Sequence, residues 1–157
     1  MKTILYGVII TALIPVLFSS CTSTSTSKLI SIEDYTFART GENDQLVTIE
    51  DPALFKRGEA VHLVLLNVGP FKKDSTGLNW FDIDMEVTGP DGSTVISEKG
   101  LLGDNGHLNL DNNMASSPYS TCYTTEDLAV GEYKFKMTIY DRIGSGKATQ
   151  TATFKLE

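Results

Sequence analysis

Three carboxylates stand at alternate positions of one short run, Asp82, Asp84 and Glu86 in Trp80-Phe81-Asp82-Ile83-Asp84-Met85-Glu86-Val87. Acids gathered on one side of a chain can hold a cation. On a strand, alternate residues stand about 7 Å apart, too far to close on one small ion without ligands from a loop. Lys134 and Lys136 offer the other reading. They alternate with apolar residues in a later run, and opposite charges on adjacent strands stabilise a sheet by about 0.2–1 kcal/mol per pair. The pattern predicts that the two strands are neighbours and leaves open whether the acids bind a cation or only pair with lysines.

The other reactive side chains are scattered. His62 and His107 are far apart in sequence, and neither has the cysteine or carboxylate spacing of a zinc site. Asp74, Asn79 and Asp82 do not follow a calcium-loop spacing. Cys122 would need an activating neighbour to act as a nucleophile, and the sequence shows none; in Tyr119 to Tyr123 it reads as a small buried apolar residue. No nucleophile and base, metal cage or carboxylate pair of specific spacing emerges, so the chain reads as a non-enzyme with no cofactor and no metal. Binding chemistry is better served. Trp80 and Tyr119 are candidate aromatic anchors, and Asp74 and Asn79 are polar groups near Trp80 that would suit a sugar. The alternatives are that Trp80 is core and that Tyr119 covers a sheet edge.

These residues must be positioned by strands. From Tyr133 the apolar residues Tyr133, Phe135, Met137 and Ile139 fall on every second position, a period of two. Ala148, Ala152, Phe154 and Leu156 alternate with Thr149, Thr151, Thr153 and Lys155 in a second run. Asp141 to Lys147 joins them, with Gly144 and Gly146 expected to supply the positive φ angles of the turn. Ala60 to Val68 is almost continuously apolar on both faces, with His62 within it, and predicts a central strand. Gly89-Pro90-Asp91-Gly92 is a strong turn signal that makes a hairpin of Phe81–Val87 and Ser93–Glu98. Asn112 to Pro118 reads as the loosest segment. Binding residues are expected in two loops at one end of the domain, Gly69 to Trp80 and Asp104 to Tyr119.

The start of the chain carries an address. Lys2 precedes a mostly apolar run, Ile4 to Phe18, that is short for a membrane-spanning helix. Phe18-Ser19-Ser20-Cys21 resembles the lipobox of bacterial lipoproteins, with phenylalanine where leucine is usual. The resemblance implies a signal peptide over 1–20, acylation of Cys21 and, since no Asp follows Cys21, the outer membrane over the inner. Residues 21–28 then form a lipidated Ser/Thr tether and 29–157 one domain. The formal charge is −7, from 13 basic and 20 acidic residues. Loss of Lys2 with the signal makes it −8 (12 against 20). So acidic a chain repels phosphate backbones, and nucleic acid is not an expected partner.

Leu128-Ala129-Val130-Gly131-Glu132-Tyr133, followed by Phe135, Met137 and Ile139, resembles the entry to the penultimate strand of immunoglobulin-like and fibronectin-like domains. That resemblance implies an all-β, antiparallel β-sandwich of about seven to nine strands, with Tyr133 as a tyrosine corner after Gly131. The disulfide of antibody domains is missing. The expected function is a lipid-anchored envelope module for binding or assembly, with another envelope protein or a glycan as partner. Carbohydrate binding through Trp80, or inhibition of a protease by an extended loop, are the alternatives.

Overall fold

The computed structural model describes residues 29–50 and 52–157; the signal segment, Cys21 and the Ser/Thr tether lie outside the described residues. The strands are β1 (Asp34–Thr40), β2 (Leu46–Ile49), β3 (Leu54–Phe55), β4 (Ala60–Leu66), β5 (Asn79–Thr88), β6 (Thr94–Glu98), β7 (His107–Leu108), β8 (Tyr119–Tyr123), β9 (Gly131–Asp141) and β10 (Lys147–Leu156). Without the two-residue β3 and β7, the count falls within the expected range. The smaller sheet has the order β2-β1-β4-β8, and the larger β3-β10-β9-β5-β6, with β7 paired to β5. Every pairing is antiparallel except β3 with β10. Among the described residues the helical segments are short 3-10 turns, and no helix is long and apolar enough to cross a membrane.

Alternation sets the layers. Tyr133, Phe135, Met137 and Ile139 of β9 are buried, as are Phe81, Ile83, Met85 and Val87 of β5, and they face Val61, Leu63 and Leu65 of β4. Burying each such side chain contributes about 1.5–3 kcal/mol. β4 is buried along most of its length because β1 and β8 flank it. At one end of the core Phe154 packs against Phe37, Phe55 and Tyr133 with ring centroids 5.4–5.8 Å apart. Tyr133 Oη donates to the Ala129 carbonyl at 2.7 Å, which makes the tyrosine corner. Gly131 has φ 140°, and a Cβ there would lie 2.8 Å from Pro90 Cγ, so the corner needs glycine on two counts.

Two expectations are corrected. In the β9–β10 turn the positive φ belongs to Ser145, at 59°, and not to Gly144 or Gly146. Gly144 is required for a different reason: a Cβ there would sit 2.2 Å from Asp141 Oδ2. The buried Asp141 carboxylate caps the turn, accepting from the backbone N–H of Ile143 and Gly144, and also from Lys72. The segment Asn112 to Pro118 is not loose. Ala115 is buried and exchanges backbone hydrogen bonds with Val68, Ser116 accepts from Asn67, and Pro118 accepts from Leu65. It continues the β4–β8 ladder, and a polar composition concealed that pairing.

Candidate functional site

The charged residues of β5 and β9 meet across the outer face of the larger sheet. The register places Glu86 opposite Lys136, Asp84 opposite Thr138 and Asp82 opposite Tyr140. Lys136 Nζ lies 2.9 Å from Glu86 Oε1, which is the expected cross-strand pair; Lys134 faces Thr88 instead. Asp84 accepts from Tyr140 Oη at 3.0 Å and from the Gly100 N–H at 2.9 Å.

Asp82 does not stand in solvent, as simple alternation would suggest. It is 2% exposed because the chain from Gly100 to Gly103 folds over it. Its carboxylate accepts from the N–H groups of Ile83 and Leu102 and pairs with Arg142. Burial raises its pKa, but the Arg142 guanidinium and the backbone donors outweigh that and hold it below the usual carboxylate range. Among the described residues no cluster of three or more His, Cys, Asp or Glu is placed to hold a metal ion.

The result is a polar trough on a rigid floor. One part, of about 230 Å³, is lined by Asp84, Glu86, Ser97, Glu98, Lys136 and Tyr140 among others. A neighbouring hollow of about 300 Å³ shares Asp84, Lys99 and Tyr140 with it and extends to Gly100 and Arg142. Carboxylate acceptors, ammonium and guanidinium donors and a phenol ring thus line one continuous groove. Sequence reasoning left Asp84 and Glu86 between a cation site and pairing with lysines such as Lys136, and it missed Tyr140, Lys99 and Arg142 as lining residues. Tyr140 was legible, since it shares the outward parity of Lys134 and Lys136.

The two loops expected to hold binding residues do come together. Asn79 ties them: buried at the inner end of β5, its Nδ2 donates to the Phe71 and Lys72 carbonyls at 3.3 and 3.1 Å. Its Oδ1 accepts from the Leu110 N–H at 3.1 Å. Asn79 is therefore a clamp, and the expectation that it contacts a ligand is corrected: no part of it reaches the surface. Asp74 caps its own turn, with Oδ1 accepting from Thr76 N and Oγ1 and from Leu78 N, while Oδ2 lies 2.8 Å from His107 Nε2. Its Thr76 and His107 hydrogen bonds hold the Asp74 carboxyl well below its ordinary range.

Trp80 is half-buried. Its Nε1 donates to the Gly103 carbonyl at 3.1 Å, and its ring lies 5.2 Å from that of His107 at an interplanar angle of 31°. Trp80, His107 and Asp74 form one group at the loop end of β5, with one ring face occupied by His107. Tyr119 is 51% exposed but belongs to β8 on the opposite sheet, so the two aromatic candidates do not share a surface. Its ring packs edge-on against His62 with centroids 6.0 Å apart. His62 is held between Thr40 and Thr121, at 2.9 Å from each hydroxyl, and burial lowers its pKa. Cys122 faces the core, where burial pushes its thiol up to about 11.

No protein-family profile matches the chain, and no curated protein matches it. Among solved structures it is similar to the crystal structure of the C-terminal domain of wzt. The TM-score is 0.50 at 12% sequence identity, over 82% of this chain and 73% of that one. At that identity the likeness shows the fold alone, and the fold it shows is an immunoglobulin-like β-sandwich.

Proposed function

We propose that this chain is an exported, non-catalytic binding module, held to the outer membrane by acyl chains on Cys21, and that the trough on its larger sheet takes a glycan. The observation that carries the ligand class is the trough lining. Asp84 and Glu86 on β5 and Lys136 and Tyr140 on β9 set acceptors and donors side by side in fixed register, and Lys99 and Arg142 join them from the segments that follow β6 and β9. A sugar offers vicinal hydroxyls that each donate and accept, and such a row of charged groups makes the stronger, charge-assisted hydrogen bonds to them. Tyr140 adds a flat apolar surface.

The same pairing favours binding over catalysis. Glu86 is neutralised by Lys136, and Asp82 by Arg142. With its pKa held down, Asp82 stays ionised at neutral pH and is poorly suited to donate a proton. Cys122 is buried as a thiol.

The test uses the full chain extracted from membranes, applied to an array of bacterial surface glycans, beside Asp84→Ala and Tyr140→Ala. The expected result is retention of the wild type on a defined glycan group, and at least tenfold weaker retention of both variants. Retention of neither, or equal retention of all three, sinks the glycan reading. Mass spectrometry of the mature N-terminus tests the anchor directly, with a free Cys21 thiol as the result against it.

A second reading has one observation in its favour. Tyr119 and Tyr123 are 51% and 75% exposed on the edge strand β8, and paired exposed aromatics suit contact with another envelope protein. Crosslinking in cells with and without Tyr123→Ser distinguishes it from the glycan reading.

A further inference from the structure

A cleft of about 500 Å³ opens between the two sheets where β8 faces β5, across β5 from the polar trough, with Met85 lining both. Phe81, Ile83 and Met85 form its floor, Leu101 and Leu102 lie across its mouth, and Pro118 to Thr121 form the far wall. The volume is within the range of small-molecule sites. Apart from Tyr119, no ionisable side chain lines it.

One polar atom in it lacks a partner. Ser120 is 4% exposed, and its Oγ is the only buried side-chain polar atom among the described residues without a hydrogen bond. A buried hydroxyl left unpaired is costly, and such groups in folded proteins are met by protein, water or ligand. The backbone offers more. The Pro118 carbonyl accepts from the Leu65 N–H, so antiparallel alternation turns the backbone of Ser120 towards β4 and that of Tyr119 and Thr121 towards the open edge. β8 is the last strand of its sheet, and Tyr119 and Thr121 line the cleft.

We infer that the cleft between β5 and β8 is a binding site for a small, uncharged, mainly apolar molecule whose one hydroxyl or amide bonds to Ser120 Oγ. Apolar walls exclude a strongly hydrated ligand, and a carboxylate or ammonium would enter with no opposite charge to meet it. A single water could satisfy the hydroxyl but would leave the apolar floor wet. An aromatic or alkyl alcohol covers both.

The experiment is a chemical-shift titration of the 15N-labelled full chain with benzyl alcohol, and with benzoate as its charged counterpart. Saturable shifts at Leu101, Leu102, Ser120 and Thr121 are expected with the alcohol, and at least tenfold weaker ones with benzoate. Ser120→Ala should weaken the alcohol about fivefold to tenfold while melting no lower than the wild type, because it removes an unpaired buried hydroxyl. Leu101→Trp, at a position already 42% exposed, should block the mouth and abolish the shifts. Equal affinity for benzoate, unchanged affinity in Ser120→Ala, shifts that map elsewhere, or none at all would each overturn the assignment.

Discussion

Replacing Asn79 should damage this domain more than any single change at its polar surface. The side chain is fully buried and makes three hydrogen bonds of 3.1–3.3 Å, to the Phe71 and Lys72 carbonyls and from the Leu110 N–H, with a longer contact of 3.4 Å to Asn113 Oδ1. Each such bond contributes about 1 kcal/mol net, and truncation leaves its partners buried. Asn79→Ala should therefore cost about 3 kcal/mol, roughly a 10 °C fall in Tm for a domain of this size.

Asn79→Asp discriminates further. The new carboxyl would face two carbonyl oxygens and an amide oxygen where an amide once donated, so its folded pKa must rise. The folded state then binds more protons than the unfolded one. Stability of this variant should accordingly fall as pH rises from about 4, the unfolded carboxyl value, through the raised folded value. Urea melts followed by Trp80 fluorescence from pH 4 to 8 would show it. A loss under 1 kcal/mol for Asn79→Ala, or an Asn79→Asp variant whose stability relative to wild type does not change with pH, would refute the clamp.

Three further outcomes are expected. Tyr133→Phe removes one buried 2.7 Å hydrogen bond to Ala129 and should cost about 1–1.5 kcal/mol by urea melt. Asp82 has a depressed folded pKa, so its contribution is present above the ordinary carboxyl range and is lost as pH falls through the folded value. Arg142→Leu should flatten that acid limb of the stability curve, and an unchanged limb would count against the pair. The Cys122 thiol, pushed up to about 11 in the core, should resist iodoacetamide at pH 8 by peptide mapping until the chain unfolds; rapid labelling of the native chain would contradict its burial.

The sandwich was legible because period-two runs fix which residues face inward, and β5, β9 and β10 are such runs. Their charged outer residues also announced that β5 and β9 are adjacent. The trough was harder to see. Lys99 and Arg142 come from segments that cross the sheet at its edge and end, and nothing in local pattern says where a crossing segment lands. Asp82 was misjudged for the same reason, since its cover arrives from Gly100 to Gly103. Asn79 carried a usable signal that went unread. It lies two positions before Phe81 and so shares the inward parity, which should have marked it as a buried polar group in need of partners. Asp141 obeys the same rule at the end of β9, where it binds the turn and Lys72.

The entry of the chain into the domain would set which way a tethered molecule hangs. Ser31 exchanges backbone hydrogen bonds with Gly69, and the side chain of Ile30 lies beside Gly146. The first described residues thus dock at the Trp80 end of the larger sheet, next to the loop that Asp141 ties down. From Cys21 to Leu29 even a fully stretched chain spans no more than about 30 Å. Were Cys21 the anchor proposed above, that end would hang within this reach of the lipid headgroups, and the trough would run outward from it along β5. The Glu86 and Lys136 end would then point away from the bilayer, and a polymer rooted in the same membrane would meet the Arg142 end first.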